Sequence, residues 1–286
     1  MMQRSRRWGL LLAGIVVAAA VAGAAGAANS GGYVDKTGDG ALAPDIRSVN
    51  VSNDDSGMIR VEVTAGRIIA LSNEEFVVGI DADQNPDTGT IFYGADYALD
   101  LAGTTAQILR AGADGFFEPA SGGVSVQETG DVITFTVKAS DVGLSTTAGF
   151  NVFVASVAAG SGDVAPDVRT FNYQQVAGTA PPALGRDTRA PYEQAYKAAG
   201  KRGKQVLLYY RAADGRGMTA DAIRVYSGTK VLKTVRYKLE DSVPMTRYYV
   251  KWTIPKRVKG KLRYCVQSVD AAGNKSNTAC ARLTVT

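Results

Sequence analysis

The heptapeptide VITFTVK, Val132–Lys138, places Ile133, Phe135 and Val137 on one face and Thr134, Thr136 and Lys138 on the other. This period of two belongs to an antiparallel strand with one side against a core. Comparable short runs recur on either side of it: IRSVNVS, MIRVEVT, RIIAL, FVVGID, YALDL, AQILRA, VSVQE, FNVFVASV and TFNYQ. Gly, Asp and Asn separate them, and none carries a 3.6-residue stripe over three turns. The pattern predicts an all-β sandwich. Between two of the runs, ASDVGLS (139–145) predicts a single helical turn.

Outward from this core the chain changes character. It opens MMQRSRRWGLLLAGIVVAAAVAGAAGAA, three arginines before an Ala/Val/Leu run that ends in small residues. That is the layout of a secretory signal peptide over residues 1–28, cleaved near Ala27 or Ala28. The pair Arg6–Arg7 also hints at twin-arginine export. No second apolar run of spanning length follows, so the expectation is a mature protein without a membrane span, secreted or held at the cell envelope. Residues 29–184 hold 20 acidic and 7 basic side chains, net −13, whereas 185–286 hold 7 and 22, net +15. All eight Phe lie in the acidic part, and nine of the 13 Tyr lie in the basic part. Two differently built domains account for this: an acidic β-sandwich over 29–176 and a basic one over 187–286. They are joined by a Pro- and Gly-containing linker at 177–186.

In the acidic domain, the run FVVGI leads into DADQNPDTG, Asp81–Gly89. Asp81, Asp83 and Asn85 alternate, and Asp96 follows in GADYAL. Clustered carboxylates repel unless a cation or a proton compensates, and calcium takes six to eight oxygen ligands. The motif is not an EF-hand, because Pro86 stands where that loop needs Gly and Phe92 where it needs Glu. An earlier acidic turn, DKTGDGALAPDI, carries Asp35, Asp39 and Asp45. Three readings fit: a calcium loop, which is preferred, a tight turn using Pro, Asp and Gly for ordinary reasons, and a catalytic carboxylate pair.

DKTGDGALAPDI, VGIDADQNPDTG and GADYAL together resemble secreted bacterial β-sandwiches related to family 9 carbohydrate-binding modules and the DOMON-like fold, over about residues 33–173. The resemblance implies a jelly-roll-like domain with a structural calcium site drawing on Asp81, Asp83, Asn85 or Asp96. Asp35 and Asp39 are the further candidates for metal ligation. It also implies sugar binding, but the sugar-binding members clamp their ligand between tryptophans and this domain has none. Phe92, Tyr93, Phe116 and Phe117 are the rings left to stack on a saccharide. Haem binding of the DOMON type is disfavoured, since the chain has no histidine.

The basic domain holds about seven strand-like runs in some 100 residues, the size of an Ig-like sandwich. In YYVKWTIP, Trp252 shares a face with Val250 and Ile254, which predicts a core position. Tyr264, the SVDAAGNKS loop and the closing alternation resemble the last hairpin of bacterial Ig-like or fibronectin type III-like domains. Cys265 and Cys280 are symmetric about that loop, so directly opposed strands would join them as a disulfide. The densest basic runs are KAAGKRGK (197–204) and KRVKGKLR (256–263). They read as a solvated face, as an attraction to anionic wall polymer, acidic polysaccharide or lipid headgroups, or as a complement to the acidic domain. Nucleic acid is not expected.

Without histidine, Ser-His-Asp, Cys-His and HExxH chemistry is excluded, and no phosphate-binding glycine loop occurs. The expectation is a secreted non-catalytic binding or adhesion protein with a structural calcium site. A protein binding a poly- or oligosaccharide is the alternative, and a glycan-active hydrolase working through paired carboxylates is the second alternative.

Overall fold

The computed structural model describes residues 2–3, 27–66, 71–244, 246–258 and 261–286. Most of the predicted signal peptide, and all but Leu71 of the predicted strand RIIAL, lie outside them. The chain divides into two compact units, Leu11–Gly185 and Arg186–Thr286 with Met1–Leu10. No α-helix occurs among the described residues, and both units are built from β-strands.

The acidic unit contains β1 (Ala27–Val34), β2 (Asp45–Asp54), β3 (Met58–Gly66), β4 (Glu74–Asp81), β5 (Tyr97–Ala102) and β6 (Thr105–Ala111). It continues with β7 (Phe117–Pro119), β8 (Val124–Thr129), β9 (Val132–Lys138), β10 (Gly149–Ala158), β11 (Ser161–Ala165) and β12 (Phe171–Gln174). One sheet runs β1-β2-β3-β9-β8, and the other β11-β10-β4-β5-β6-β7 with β12 also on β10. All these pairings are antiparallel.

The alternation in VITFTVK is realised in this packing. Ile133, Phe135 and Val137 on β9 face Val63, Val61 and Ile59 on β3 across the ladder, and all six are buried. They share one core with Phe76, Val78 and Ile80 of β4 and Phe150, Val152 and Val154 of β10 in the second sheet. Two amphipathic sheets bury their apolar faces against each other, which is the sandwich. Tyr33 stacks on Phe171 at 4.6 Å and closes one edge. Residues Ala139–Val142 form the expected single turn, a 3₁₀ helix that ends at Gly143 in the left-handed region (φ 70°).

The basic unit contains β13 (Tyr192–Ala195), β14 (Ala198–Gly200), β15 (Gln205–Ala213), β16 (Met218–Ser227), β17 (Lys230–Arg236), β18 (Glu240–Asp241), β19 (Tyr248–Thr253), β20 (Leu262–Val269) and β21 (Ala279–Val285). One sheet orders β19-β15-β13, with Met2–Gln3 pairing in parallel along the free edge of β19, and the other β14-β21-β20-β16-β17 with β18 also on β16. The first two strands therefore belong to different sheets. β14 runs parallel to β21, whereas β13 is antiparallel to β15. Trp252 is buried among Val206, Val250 and Ile254, as its alternation predicts. Cys265 and Cys280 are directly opposed on β20 and β21 and form a disulfide with a Cα–Cα distance of 4.0 Å.

Candidate functional site

The β4–β5 connection is a built loop rather than a plain reversal. Gly89 and Gly94 both take positive φ, 56° and 74°. A Cβ on Gly89 would lie 2.3 Å from the Gly94 carbonyl oxygen, and one on Gly94 would lie 2.4 Å from the Pro86 Cα. Only glycine allows this close approach of backbone to backbone. The Thr90 N–H donates to the Ala95 carbonyl at 2.9 Å, the Asp96 N–H to Ile80 at 2.8 Å, and the Ile91 N–H to Gly115 at 2.9 Å. These bonds fold the loop back on the end of β4 and fasten it to the β6–β7 turn.

Three carboxylates converge at its mouth. Each of Asp81, Asp83 and Asp96 offers an oxygen within 4.8 Å of the others. Asp81 is 1% exposed. Its Oδ1 accepts the Asn85 N–H at 3.0 Å and its Oδ2 accepts Asn151 Nδ2 at 2.9 Å, the latter from the facing position on β10. Asp83 Oδ1 accepts the Asn85 N–H at 2.9 Å, and Thr88 Oγ1 donates to the same carboxylate. Asp96 Oδ2 accepts the Ala82 N–H at 2.9 Å. Burial pushes Asp81 up to about 8; the Asn151 hydrogen bond opposes this and neighbouring Asp83 adds to it. Asp96 is raised by burial and then by Asp83. Among the described residues no Lys or Arg ion-pairs with the three. Asn85, proposed beside them, supplies its N–H, while its side-chain oxygen accepts the Asp87 N–H at 3.2 Å and so serves the turn.

The four candidate rings separate into two groups. Phe92 stacks on Phe117 (5.7 Å, 5°) and meets Phe116 edge-on (6.3 Å), and all three are half-buried. Tyr93 is a correction to the sequence reading. It is 2% exposed and packs edge-on against Phe153, so its faces are not open to a sugar. The left-handed backbone at Tyr93 (φ 53°) turns neighbouring side chains in different directions, an effect that strand alternation cannot foretell. Sequence reasoning missed Tyr97 and Arg110, a shared wall of two open cavities of about 390 and 550 Å³. The smaller is also lined by Asp83 and Asp96, the larger by Ser121, Ser140 and Asp141. Arg110 is held by Glu118, Nε to Oε1 at 3.0 Å.

The earlier acidic turn forms a separate cluster. Asp39 gathers with Asp45 and Asp163, oxygens again within 4.8 Å of one another. Asp81 faces Asn151 and Asp163 faces Ser156, five residues along β10, so the two clusters stand about 17 Å apart along that strand. Asp163 is remote in sequence, and only the β10–β11 register brings it in.

The basic unit carries a third group, Asp187, Asp214 and Asp270, all buried. Each closes a turn through a backbone N–H two or four residues on, and Arg216 Nε lies 3.5 Å from Asp187. The spacings DTR, DGR and DAAGN were the available signal. The two basic runs meet at one end of this unit. Gly203 N–H donates to Ile254 at 2.8 Å, and a Cβ on Gly203 would lie 3.1 Å from the Lys256 side chain. Lys201, Arg202, Lys204, Lys256 and Arg257 are all exposed there. No helix among the described residues is long and apolar enough to cross a membrane.

No family model matches the sequence, and no curated protein matches it. Among solved structures, the chain is similar to the fibronectin(III)-like modules of Clostridium thermocellum CbhA at 12% identity and a TM-score of 0.26, covering 80% of this chain and 86% of that one. It is similar to a chimeric titin Z1Z2 tandem at 13% identity and TM-score 0.25, covering 81% and 92%. A third likeness is to the tandem V-type regions of VCBP3, a v-region-containing chitin-binding protein, at 10% and 0.22, covering 80% and 94%. These are fibronectin III-like and immunoglobulin-like β-sandwich modules. TM-scores this low carry no argument about function, and the all-β class rests on the strands described above. The resemblance to family 9 carbohydrate-binding modules remains a reading of motifs.

Proposed function

We propose that this is an extracellular, non-catalytic binding protein that docks on an anionic polymer of the cell envelope through its basic unit. The observation that carries the reading is the convergence of two separate basic runs into one exposed group, Lys201, Arg202, Lys204, Lys256 and Arg257. Like charges brought together without burial raise the local potential and attract polyanions, an attraction that salt screens within about 8 Å at physiological strength. In the acidic unit, calcium at Asp81, Asp83 and Asp96 holds the β4–β5 loop. The converging oxygens, the all-oxygen donor set and the absence of an ion-pair partner among the described residues support it. Polygalacturonate is the probe. The full chain should co-sediment with it at low salt and be released as salt rises, and K201E/K204E/K256E should lose the binding. Unchanged retention of that variant would overturn the reading.

A second reading, binding of a neutral oligosaccharide, is favoured by the open polar cavities at Tyr97 and Arg110. Tyr97 is half-buried there and offers a ring beside hydrogen-bonding groups. Binding on a neutral glycan array that Tyr97→Ala abolishes would favour it over the first.

A further inference from the structure

The strongest unexplained feature of the acidic unit is not the β4–β5 loop but the turn after β1. Asp35 is 8% exposed, and its Oδ2 is fully enclosed and meets no hydrogen-bond donor. Oδ1 of Asp39 is likewise enclosed and without a donor. A buried, unpartnered carboxylate oxygen is costly. Here the two occur four residues apart, beside a cluster that already holds Asp45 and Asp163. Asp35 stands among the same charges: burial first, then Asp163, Asp167 and Asp39, raise its carboxyl to about 7. Asp163 is itself 5% exposed and pushed up to about 6, by burial before Asp39 and Asp45. Lys36 offsets Asp39 at 2.6 Å and lies 4.0 Å from Asp167. No Lys or Arg among the described residues ion-pairs with Asp35, Asp45 or Asp163.

The surrounding backbone is shaped to hold these groups. Asp45 Oδ1 accepts the N–H groups of Gly38 at 2.6 Å and Asp39 at 3.2 Å. Asp163 Oδ2 accepts the Ile46 N–H at 2.7 Å. Gly40 is buried, and a Cβ there would lie 3.2 Å from the Asp45 Cα and 3.3 Å from the Asp163 Cβ. Ser161 Oγ donates to the Gly40 carbonyl at 3.1 Å. The turn is thus wrapped against β11, with carboxylates pointing into the wrap. Oxygens bound to one calcium ion at 2.3–2.6 Å are at most about 5 Å apart, and those of Asp39, Asp45 and Asp163 meet that limit at 4.8 Å.

We propose that Asp35, Asp39, Asp45 and Asp163 form a calcium site that fastens the turn after β1 to the β10–β11 hairpin. The donors are carboxylates only, which suits a hard cation and not zinc or copper. The site is independent of the β4–β5 loop. Its ligands come from both sheets, β2 in one and β11 in the other, so the ion closes the sandwich at that end. A cluster that repels itself without the ion and is tied with it makes folding of the first strands conditional on calcium.

The test uses the full chain stripped with EDTA and titrated with calcium alone. D35N/D163N is expected to bind one fewer calcium than wild type, while D81A/D83A retains that ion. Amide exchange at residues 35–47 and 161–165 should slow on calcium addition in both wild type and D81A/D83A. In EDTA, D35N should melt above wild type, because a repelling charge is gone, and in calcium the order should reverse. A purely structural Asp35 would not give that reversal. Equal calcium stoichiometry in wild type and D35N/D163N overturns the proposal, as does exchange at 35–47 that calcium leaves unchanged. Should D35N/D163N not fold, the exchange result in the other two proteins decides. Protection at residues 81–96 is read separately, so failure of the β4–β5 site and failure of this one are distinguishable.

Discussion

Glu193 on β13 has both carboxylate oxygens enclosed without a hydrogen-bond donor. Ser268 Oγ donates to Asp221 Oδ1 at 2.7 Å; Ser268 and Ser276 oppose the rise in the Glu193 pKa, and Asp221 adds like charge. Burial, then Asp221, push it up to about 7. Between the ordinary glutamate value and that point the folded protein binds more protons than the unfolded chain, so stability falls as pH rises through this window. Glu193→Gln should remove that part of the slope and exceed wild type by about 2 kcal/mol above pH 7, measured by urea unfolding at several pH values. At a different position, Phe135→Ala should cost about 4 kcal/mol by leaving a cavity among Val61, Ile133 and the facing sheet; unfolding midpoints check it. Phe135 was legible because alternation alone fixes which way a strand residue points. Tyr93 was not, because its direction depends on a left-handed backbone set by Gly94 and the loop around it.

At the scale of elements, most strands of the acidic unit and the single turn at Ala139–Val142 could be read from spacing and turn residues, whereas β1, β7 and β11 carry no apolar alternation that marked them. The acidic clusters could be read only in part. Asp81, Asp83 and Asp96 come together because β4 and β5 are neighbours in sequence and in the sheet, so proximity along the chain served as proximity in space. Asp163 joins Asp39 and Asp45 only through the register of β11 on β10, which no local pattern encodes. The β4–β5 loop depends on its two inward glycines. Gly94→Ala should destabilise the acidic unit by about 3 kcal/mol, through the positive φ and the clash with Pro86, and should weaken calcium uptake there. A melting temperature within a degree of wild type would contradict the tight approach of Gly94 to Pro86.

For the molecule as a whole, the charge division into −13 and +15 segments marks two units that differ in what should stabilise them. The basic unit has a covalent tie: replacing Cys265 and Cys280 by Ala opens a loop with a sequence separation of 15 and should cost about 3 kcal/mol, visible in denaturant midpoints. The acidic unit has no cysteine; if the proposed ions hold its carboxylate clusters, chelation should lower its unfolding transition. The opening strands of the basic unit carry one more consequence. β14 lies parallel to β21, and their ends are cross-tied by Thr286 N–H to Gly200 at 3.0 Å and Arg202 N–H to Thr286 at 3.1 Å. Tension that draws residue 197 away from residue 286 pulls along these strands in opposite directions. The hydrogen bonds between them are then loaded side by side in shear and must break together, rather than peel one at a time. A protein carrying this joint would keep its basic unit folded under a pull that would unzip an antiparallel pair.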